Sequence, residues 1–363
     1  MSLIPNEILT NIFSRLPVKS LLRLKCLSKF WLAQISSPSF IKMHLTSPVQ
    51  TKNLLLFLEN QDIFQVDFDS LEDGSVVQLA EVDYIPLICS HAEVEFCGSC
   101  DGLICMANAK NADYVVLWNP STRECFNLDS TCIDNPDDAV SEECIYRLGY
   151  DKINDDYKVV RLAFYLKELF GKPDYEVKVY SMKTDSWHTS EKFPYYPSTE
   201  SIGNSVAGGA MHWISDMKLD SQNKRMIVAF DFRTEKYRVI SPPESQDPYD
   251  CLFLDNLEGC LSISCSRYLS LTMDLFLLKE YGGENEHWSK LITWSPTFSF
   301  QVQSTMVPIA YSKCGKKVLL NLDDERLGWY NLEEKTFEEI RIHGIEEFIE
   351  ADICVESLVC IDV

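Results

Sequence analysis

No stretch of the sequence approaches the roughly 18 uninterrupted apolar residues that a membrane span requires. Glu7 appears before any run of signal-peptide length can develop. Pro- and Gly-rich tracts are missing as well, with only 15 and 14 of those residues in 363, which argues against linker-like or disordered segments. These absences lead us to expect a soluble, intracellular, globular protein without membrane insertion. Basic charge is scarce: 33 Lys and Arg face 55 Asp and Glu, for a net charge of −22. Such a body repels phosphate backbones, so nucleic acid is not an expected partner.

Several chemistries are excluded in the same way. Fourteen cysteines suggest disulfides or zinc, yet a reducing compartment disfavours structural disulfides. Cys97-Gly98-Ser99-Cys100 has ligand-like spacing but no second Cys/His pair at a suitable distance. It is read as flanking a turn before Asp101-Gly102. The six histidines (His44, His91, His188, His212, His287, His343) are dispersed, none at metal spacing. Gly208-Gly209 lacks the following Lys-Ser/Thr of a phosphate loop and is read as a turn. Asp155-Asp156 could pass for paired acid–base carboxylates, but Asp is also favoured in turns for its own backbone hydrogen bonds. His212 beside Trp213 is expected to be a buried, hydrogen-bonded strand residue. No catalytic residues, cofactor or metal are expected.

What is present falls into two parts. Over residues 1–45 the period is helical. Ile4, Ile8, Leu9, Ile12, Phe13 and Leu16 form one apolar stripe on a helix opened by Pro5. Pro17 stops that helix and starts another, which carries Leu21, Leu22 and Leu24. Ser28 is the expected N-cap of a third, bearing Trp31 and Ile35, with Pro38 as its end. Helices this short cannot bury so much apolar surface among themselves, since below about 40 residues a core is rarely self-sufficient. Some of these side chains should face a partner. Residues 1–45 hold six basic side chains against Glu7 alone, a net of +5; the total of −22 leaves −27 on residues 46–363.

Ile4-Pro5-Asn6-Glu7-Ile8-Leu9, Arg15-Leu16-Pro17-Val18-Lys19-Ser20-Leu21-Leu22 and Cys26-Leu27-Ser28-Lys29-Phe30-Trp31 together resemble an F-box. This is the three-to-four-helix module that docks a protein onto a Skp–cullin ubiquitin ligase. Position by position, the resemblance places the adaptor-binding role on Ile4, Pro5, Leu9, Ile12, Leu16, Pro17, Leu21, Leu22 and Trp31. Ile4 stands where the family usually has Leu. The plainer reading is a helical cap packed entirely on the domain C-terminal to it.

After residue 46 the pattern alternates, and a unit recurs: an aromatic-ended strand, a polar turn and a second strand. Examples are Tyr114–Trp118 into Arg123–Phe126, Val177–Tyr180 into Ser186–Trp187, Ile227–Phe230 into Tyr237–Val239, and Trp329–Tyr330 into Phe337–Ile340. Another copy runs from Ile63–Phe68 through Gly74 into Ser75–Val77, and a looser one starts at Leu275. Hairpins with Gly at the turn lie between them, as at Gly98 to Met106, Val206–Trp213 and Leu257–Leu261. Six units at roughly 45–60 residues each match the period of four-stranded propeller blades. The predicted fold is therefore a small all-α module followed by an all-β domain, a six-bladed β-propeller. Ile353–Val359 is expected to close the ring beside Leu54–Leu58, removing exposed strand edges.

The same units resemble the plant F-box-associated domain. The resemblance rests on Gly98–Cys105, Trp118–Arg123, Leu148-Gly149-Tyr150-Asp151, Asn154–Arg161, Met211-His212-Trp213 and Lys279–Gly282. Val177–Lys183 and Lys316–Leu320 are similar to the group that includes the constitutive-expresser-of-pathogenesis-related-genes F-box proteins; S-locus F-box proteins share much of the pattern. The resemblance implies a substrate-recognition subunit of a Skp–cullin–F-box ligase, with domains 1–45 and 46–363. Its implied partners are a Skp-family adaptor, through it a cullin and a RING subunit, and a target protein. The implied location is cytoplasmic and nuclear, and the implied pathway is control of immune-receptor abundance. The alternatives are a receptor for pistil ribonucleases, a propeller-fold enzyme and a non-degradative scaffold. Residues 166–174, 216–224, 244–250 and 281–287 are candidate target-contacting loops by length and polarity.

Overall fold

The computed structural model describes residues 5–47, 51–57, 62–72, 80–82, 94–108, 114–129, 142–166, 173–198, 205–219, 222–243, 250–267, 272–295, 305–323, 326–342 and 350–361. Four short helices come first: α1 (Asn6–Phe13), α2 (Val18–Lys25), α3 (Lys29–Ile35) and α4 (Pro38–Leu45). Their boundaries result from local chemistry. Pro5 and Pro17 occupy the N-cap positions of α1 and α2. The hydroxyls of Ser28 and Ser37 accept the backbone N–H of Trp31 and Phe40, satisfying donors that have no partner inside the helix. Pro38 does not end the third helix, which stops at Ile35; it opens the fourth, where its missing N–H costs nothing.

Strands make up the rest. Blade 1 begins with β1 (Lys52–Phe57), β2 (Ile63–Asp67) and β3 (Ala80–Glu81). Blade 2 holds β4 (Val94–Cys100), β5 (Leu103–Asn108), β6 (Val115–Asn119) and β7 (Glu124–Leu128). Blade 3 holds β8 (Glu142–Asp151), β9 (Asp156–Leu166), β10 (Pro173–Ser181) and β11 (Ser186–Ser190). Blade 4 holds β12 (Val206–Ala207), β13 (Ala210–Leu219), β14 (Gln222–Asp231) and β15 (Tyr237–Ile240). Blade 5 holds β16 (Cys251–Leu257), β17 (Cys260–Arg267), β18 (Thr272–Lys279) and β19 (His287–Trp294). Blade 6 holds β20 (Met306–Tyr311), β21 (Lys317–Leu322), β22 (Arg326–Asn331) and β23 (Thr336–Glu339). The last strand, β24 (Glu350–Val355), returns to blade 1 and lies beside β1, giving the order β24-β1-β2-β3. Six antiparallel four-stranded sheets are thus the blades of a β-propeller, and the repeated aromatic-ended units are its third and fourth strands.

The chain divides into two compact units, Met1–Ser130 with Asp352–Val363, and Thr131–Ala351. In the first, the helices share one apolar cluster built on Val18, Leu21, Ile35, Phe40 and Leu358. Blades 1 and 2 share another, with Leu55, Ile104, Met106, Trp118 and Cys354 buried in it.

In the second unit a repeated joint links successive blades. An aromatic residue one or two positions beyond a third strand enters the first hairpin of the preceding blade. Phe232 packs where a Cβ on Gly149 would collide with its ring, and Tyr281 packs where one on Gly208 would lie 2.5 Å away. Only glycine leaves room at those two positions. Polar contacts accompany the joints: Lys158 Nζ donates to Phe232 O at 2.7 Å and meets Glu235 at 3.0 Å.

One turn differs from expectation. Cys97 and Cys100 do not flank a turn; both belong to β4, where the register shifts between Phe96 and Ser99 around Gly98, and the reversal itself is Asp101-Gly102. An extra residue in a strand breaks the alternation that sequence reading relies on.

Candidate functional site

Helix α1 has no buried residue. Ile8 and Ile12 on α1, Leu27 after α2, and Phe30 and Leu32 on α3 are 47–67% exposed. So many large apolar side chains on so small a module mark a surface awaiting a partner. Pro5 and Pro17 are also exposed, while Leu9, Leu16 and Trp31 are half-buried. Trp31 is wedged between Phe13 (ring centroids 4.7 Å) and Phe30 (5.0 Å). Leu21 is fully buried in the helical cluster, so it holds the module together from inside. Leu22, with Val18, Lys19, Arg23 and Cys26, lines a cavity of about 600 Å³ between α2 and the ends of the blade 1 and 2 strands. Ile4 lies outside the described residues. The sequence stripe includes Ile8 but gives no role to Leu27, Phe30 or Leu32; four apolar residues in the span 27–32, on either side of the Ser28 cap of a short helix, are the available signal.

The opposite side of the module is anchored. The Glu356 side chain accepts a hydrogen bond from the backbone N–H of Val18, at the start of α2, and another from Asn53 of β1. Burial raises the Glu356 carboxyl above its ordinary pKa, with Val18, His44, Lys19 and Asn53 opposing that shift. Asn119, at the end of β6, donates to Val359 O at 2.8 Å and Ser357 O at 3.3 Å. Glu356 N–H donates to Thr51 O at 2.9 Å. His44 on α4 ties back to Leu16 O at 2.9 Å. The segment after β24 thereby joins the helices to the ends of blades 1 and 2, and β1 and β5 run away from them toward Phe57 and Asn108.

The apparent catalytic groups are structural. Asp156 opens β9 and accepts from Ser181 Oγ (2.7 Å) and Lys183 N–H (2.9 Å), fastening the next hairpin. His212 is fully buried. Its Nδ1 lies 2.7 Å from Ser205 O, which can only accept, so Nδ1 carries the proton and Nε2 accepts from Tyr281 O–H at 2.7 Å. Burial pushes the His212 imidazole down to about 4, aided by the nearby Arg238 charge. Arg238 in turn stacks on Tyr281 (4.6 Å) and grips both carboxylate oxygens of Glu286 at 2.8 Å. Of the candidate target loops, residues 281–287 are therefore a pinned turn, with Gly282 N–H also donating to Glu286 at 2.7 Å. Residues 167–172, 220–221 and 244–249 lie outside the described residues.

Two family models match in the order that this architecture demands: the F-box domain over residues 1–43 and the F-box associated beta propeller domain over residues 53–362. This chain is an F-box protein. It belongs to the family that carries an F-box-associated propeller. It is 34% identical to the F-box protein CPR1 of Arabidopsis thaliana, over 99% of this chain and 89% of that protein. It is 30% identical to the Arabidopsis thaliana F-box protein At4g22390, over 98% of this chain and 90% of the relative. The F-box module implies binding of a Skp1-type adaptor, and the pairing with a propeller is that of a substrate-recognition adaptor. Among the described residues of this F-box protein, no helix is long and apolar enough to cross a membrane.

Proposed function

We propose that this F-box protein is the substrate receptor of a Skp–cullin–F-box ubiquitin ligase, with residues 1–45 holding the adaptor and residues 46–363 holding a target protein. The observation that carries the reading is the two-sidedness of the helical module: apolar side chains exposed on one side, anchorage through Glu356 and Leu358 on the other. The adaptor-facing residues we assign are Ile4, Pro5, Leu9, Ile12, Leu16, Pro17 and Trp31, joined by Ile8, Leu27, Phe30 and Leu32. Leu21 and Leu22 act behind that face by keeping it in shape. The +5 charge of residues 1–45 suits an acidic adaptor.

The receptor contributes no reacting group in this reading. It raises the effective concentration of target lysines near the charged conjugating enzyme, and the chemistry belongs to other subunits. Similarity to the constitutive-expresser group supports a target among plant immune receptors, in the cytoplasm and nucleus. Co-purification with a Skp-family adaptor tests the assignment, comparing wild type with a Leu16→Ala/Pro17→Ala double variant. Binding by wild type and loss in a variant whose propeller still unfolds cooperatively is the expected result. A folded wild type that captures no adaptor overturns it.

A further inference from the structure

Blade 3 carries an aromatic ledge at the end of its sheet where β9 leaves and β10 enters. In the register of this sheet Glu143, Phe164 and Tyr175 stand side by side on adjacent strands. The chain leaving β11 then lays Phe193-Pro194-Tyr195-Tyr196-Pro197 across them. Tyr196 meets Phe164 edge-on at 5.6 Å and Tyr175 at 5.8 Å; Phe193 meets Tyr195 at 5.7 Å. Although each ring is anchored, Tyr195 and Tyr196 remain 36% exposed, and Pro194 is exposed beside them.

The ledge is held rigid from below. Tyr175 O–H donates to Phe193 O at 2.7 Å, Tyr237 O–H donates to Glu191 O, and Ser198 N–H donates to Ile214 O at 2.7 Å. Pro197 also bridges to Ser215. Rigid, half-exposed tyrosines fit recognition, because little side-chain freedom is lost on contact.

The rim is acidic. Glu143 and Glu191 are exposed and Asp174 is half-buried; Lys192 pairs with Asp174 and Lys236 lies 3.9 Å from Glu191, so these described residues carry a net −1, with Glu143 the carboxylate that faces neither lysine. Burial raises the Tyr196 hydroxyl, and the charges of Glu143 and Asp174 raise it further, which places both carboxylates within electrostatic reach of the ring. Lys192 shows what such a surface accepts: its ammonium pairs with Asp174 and sits 5.8 Å from the centre of the Tyr175 ring. A cation between an aromatic face and a carboxylate is favoured on both counts.

We propose that Pro194, Tyr195 and Tyr196, rimmed by Glu143, Asp174 and Glu191, form a docking ledge for an arginine- or lysine-bearing segment of the target protein. The proposal rests on the receptor reading and names the chemistry of its partner. A basic segment brings the complementary charge, and its guanidinium or ammonium groups stack on the exposed tyrosine faces as Lys192 does on Tyr175.

The test titrates the full-length protein, as its adaptor complex, with a short fluorescent Gly-Ser peptide carrying spaced arginines at about 0.15 M salt. The same peptide with glutamine at those positions is the reference. Wild type should prefer the arginine peptide, and Tyr195→Ala/Tyr196→Ala should weaken its binding about tenfold. Glu143→Gln should also weaken it, Tyr196→Phe should keep it, and the remote acidic substitution Glu334→Gln should leave it unchanged. An equal loss with Glu334→Gln, or no preference for arginine in wild type, overturns the ledge as the site. Because every variant is prepared with the adaptor bound, that failure is distinct from failure of the receptor reading, which shows as no adaptor complex at all.

Discussion

Leu358, beyond the last strand, is buried in the same apolar cluster as Leu21 of the second helix. The F-box core of this protein is therefore not made by the F-box alone. A side chain from the far end of the sequence completes it, so the stability of the adaptor-binding module is tied to that of the first blade.

Leu358→Ala should cost about 2–5 kcal/mol, the range for emptying a buried leucine site. The loss should appear first as proteolytic cleavage within residues 5–47, with blades 4 and 5 still protected. Asn119→Ala, which strands the carbonyls of Ser357 and Val359, should have a smaller effect of the same kind, about 1–3 kcal/mol. Equal sensitivity of all segments to protease would argue against local coupling.

On the adaptor side, Ile12→Glu and Leu21→Ala separate contact from support. Ile12 is exposed, so its replacement should leave the melting temperature unchanged while weakening adaptor binding at least about tenfold. Leu21 is fully buried, so its truncation should lower the melting temperature and weaken binding only in proportion to unfolding. Calorimetry and adaptor titration on the same samples distinguish the two.

Gly149→Ala should destabilise by about 1–3 kcal/mol, because its new methyl group would meet the Phe232 ring. Adding Phe232→Leu should recover part of that loss although each change is harmful alone. Denaturant titration of the double-mutant cycle measures the coupling, and simple additivity would show that the two residues do not share space.

His212 predicts an acid-sensitive fold. Its folded-state pKa of about 4 lies below the ordinary imidazole value of 6.5, chiefly through burial. Between those values the unfolded chain binds more protons than the folded one, so this residue's contribution to stability is complete above pH 6.5. It is lost progressively as pH falls toward about 4, and is of order 3 kcal/mol at most. Denaturation midpoints of wild type and His212→Gln should converge in that window; parallel curves would exclude His212 as the cause.

Local chemistry made much of this legible in advance. Pro5, Pro17 and Ser28 mark helix starts by their own geometry and hydrogen bonding, and the third strands of the blades read as short apolar, aromatic-ended runs bounded by polar turns. The turns at Gly208-Gly209 and Glu258-Gly259 fall where glycine marks them. Features made by distant residues were not legible. Nothing near Leu21 says that Leu358 will cover it, and nothing near Gly149 announces Phe232. The β4 bulge hides for another reason: it breaks the alternation used to find strands. The tyrosines of the ledge escape a search for long polar loops because their segment is short and aromatic.

The return of β24 to blade 1 also bears on how the chain is made. The helices leave the ribosome early, whereas β24, Glu356 and Leu358 emerge only after all the other blades have been synthesised. Bringing these ends together closes a loop of nearly the whole chain, an entropic cost that grows only slowly with length but comes before any contact rewards it. A nascent chain therefore displays apolar helix faces without the residues that steady them, and gains its anchored F-box as almost the last act of folding. Translation that stalls before β24 would leave a molecule with five complete blades and a loose adaptor-binding module, a natural substrate for the cell's own disposal machinery.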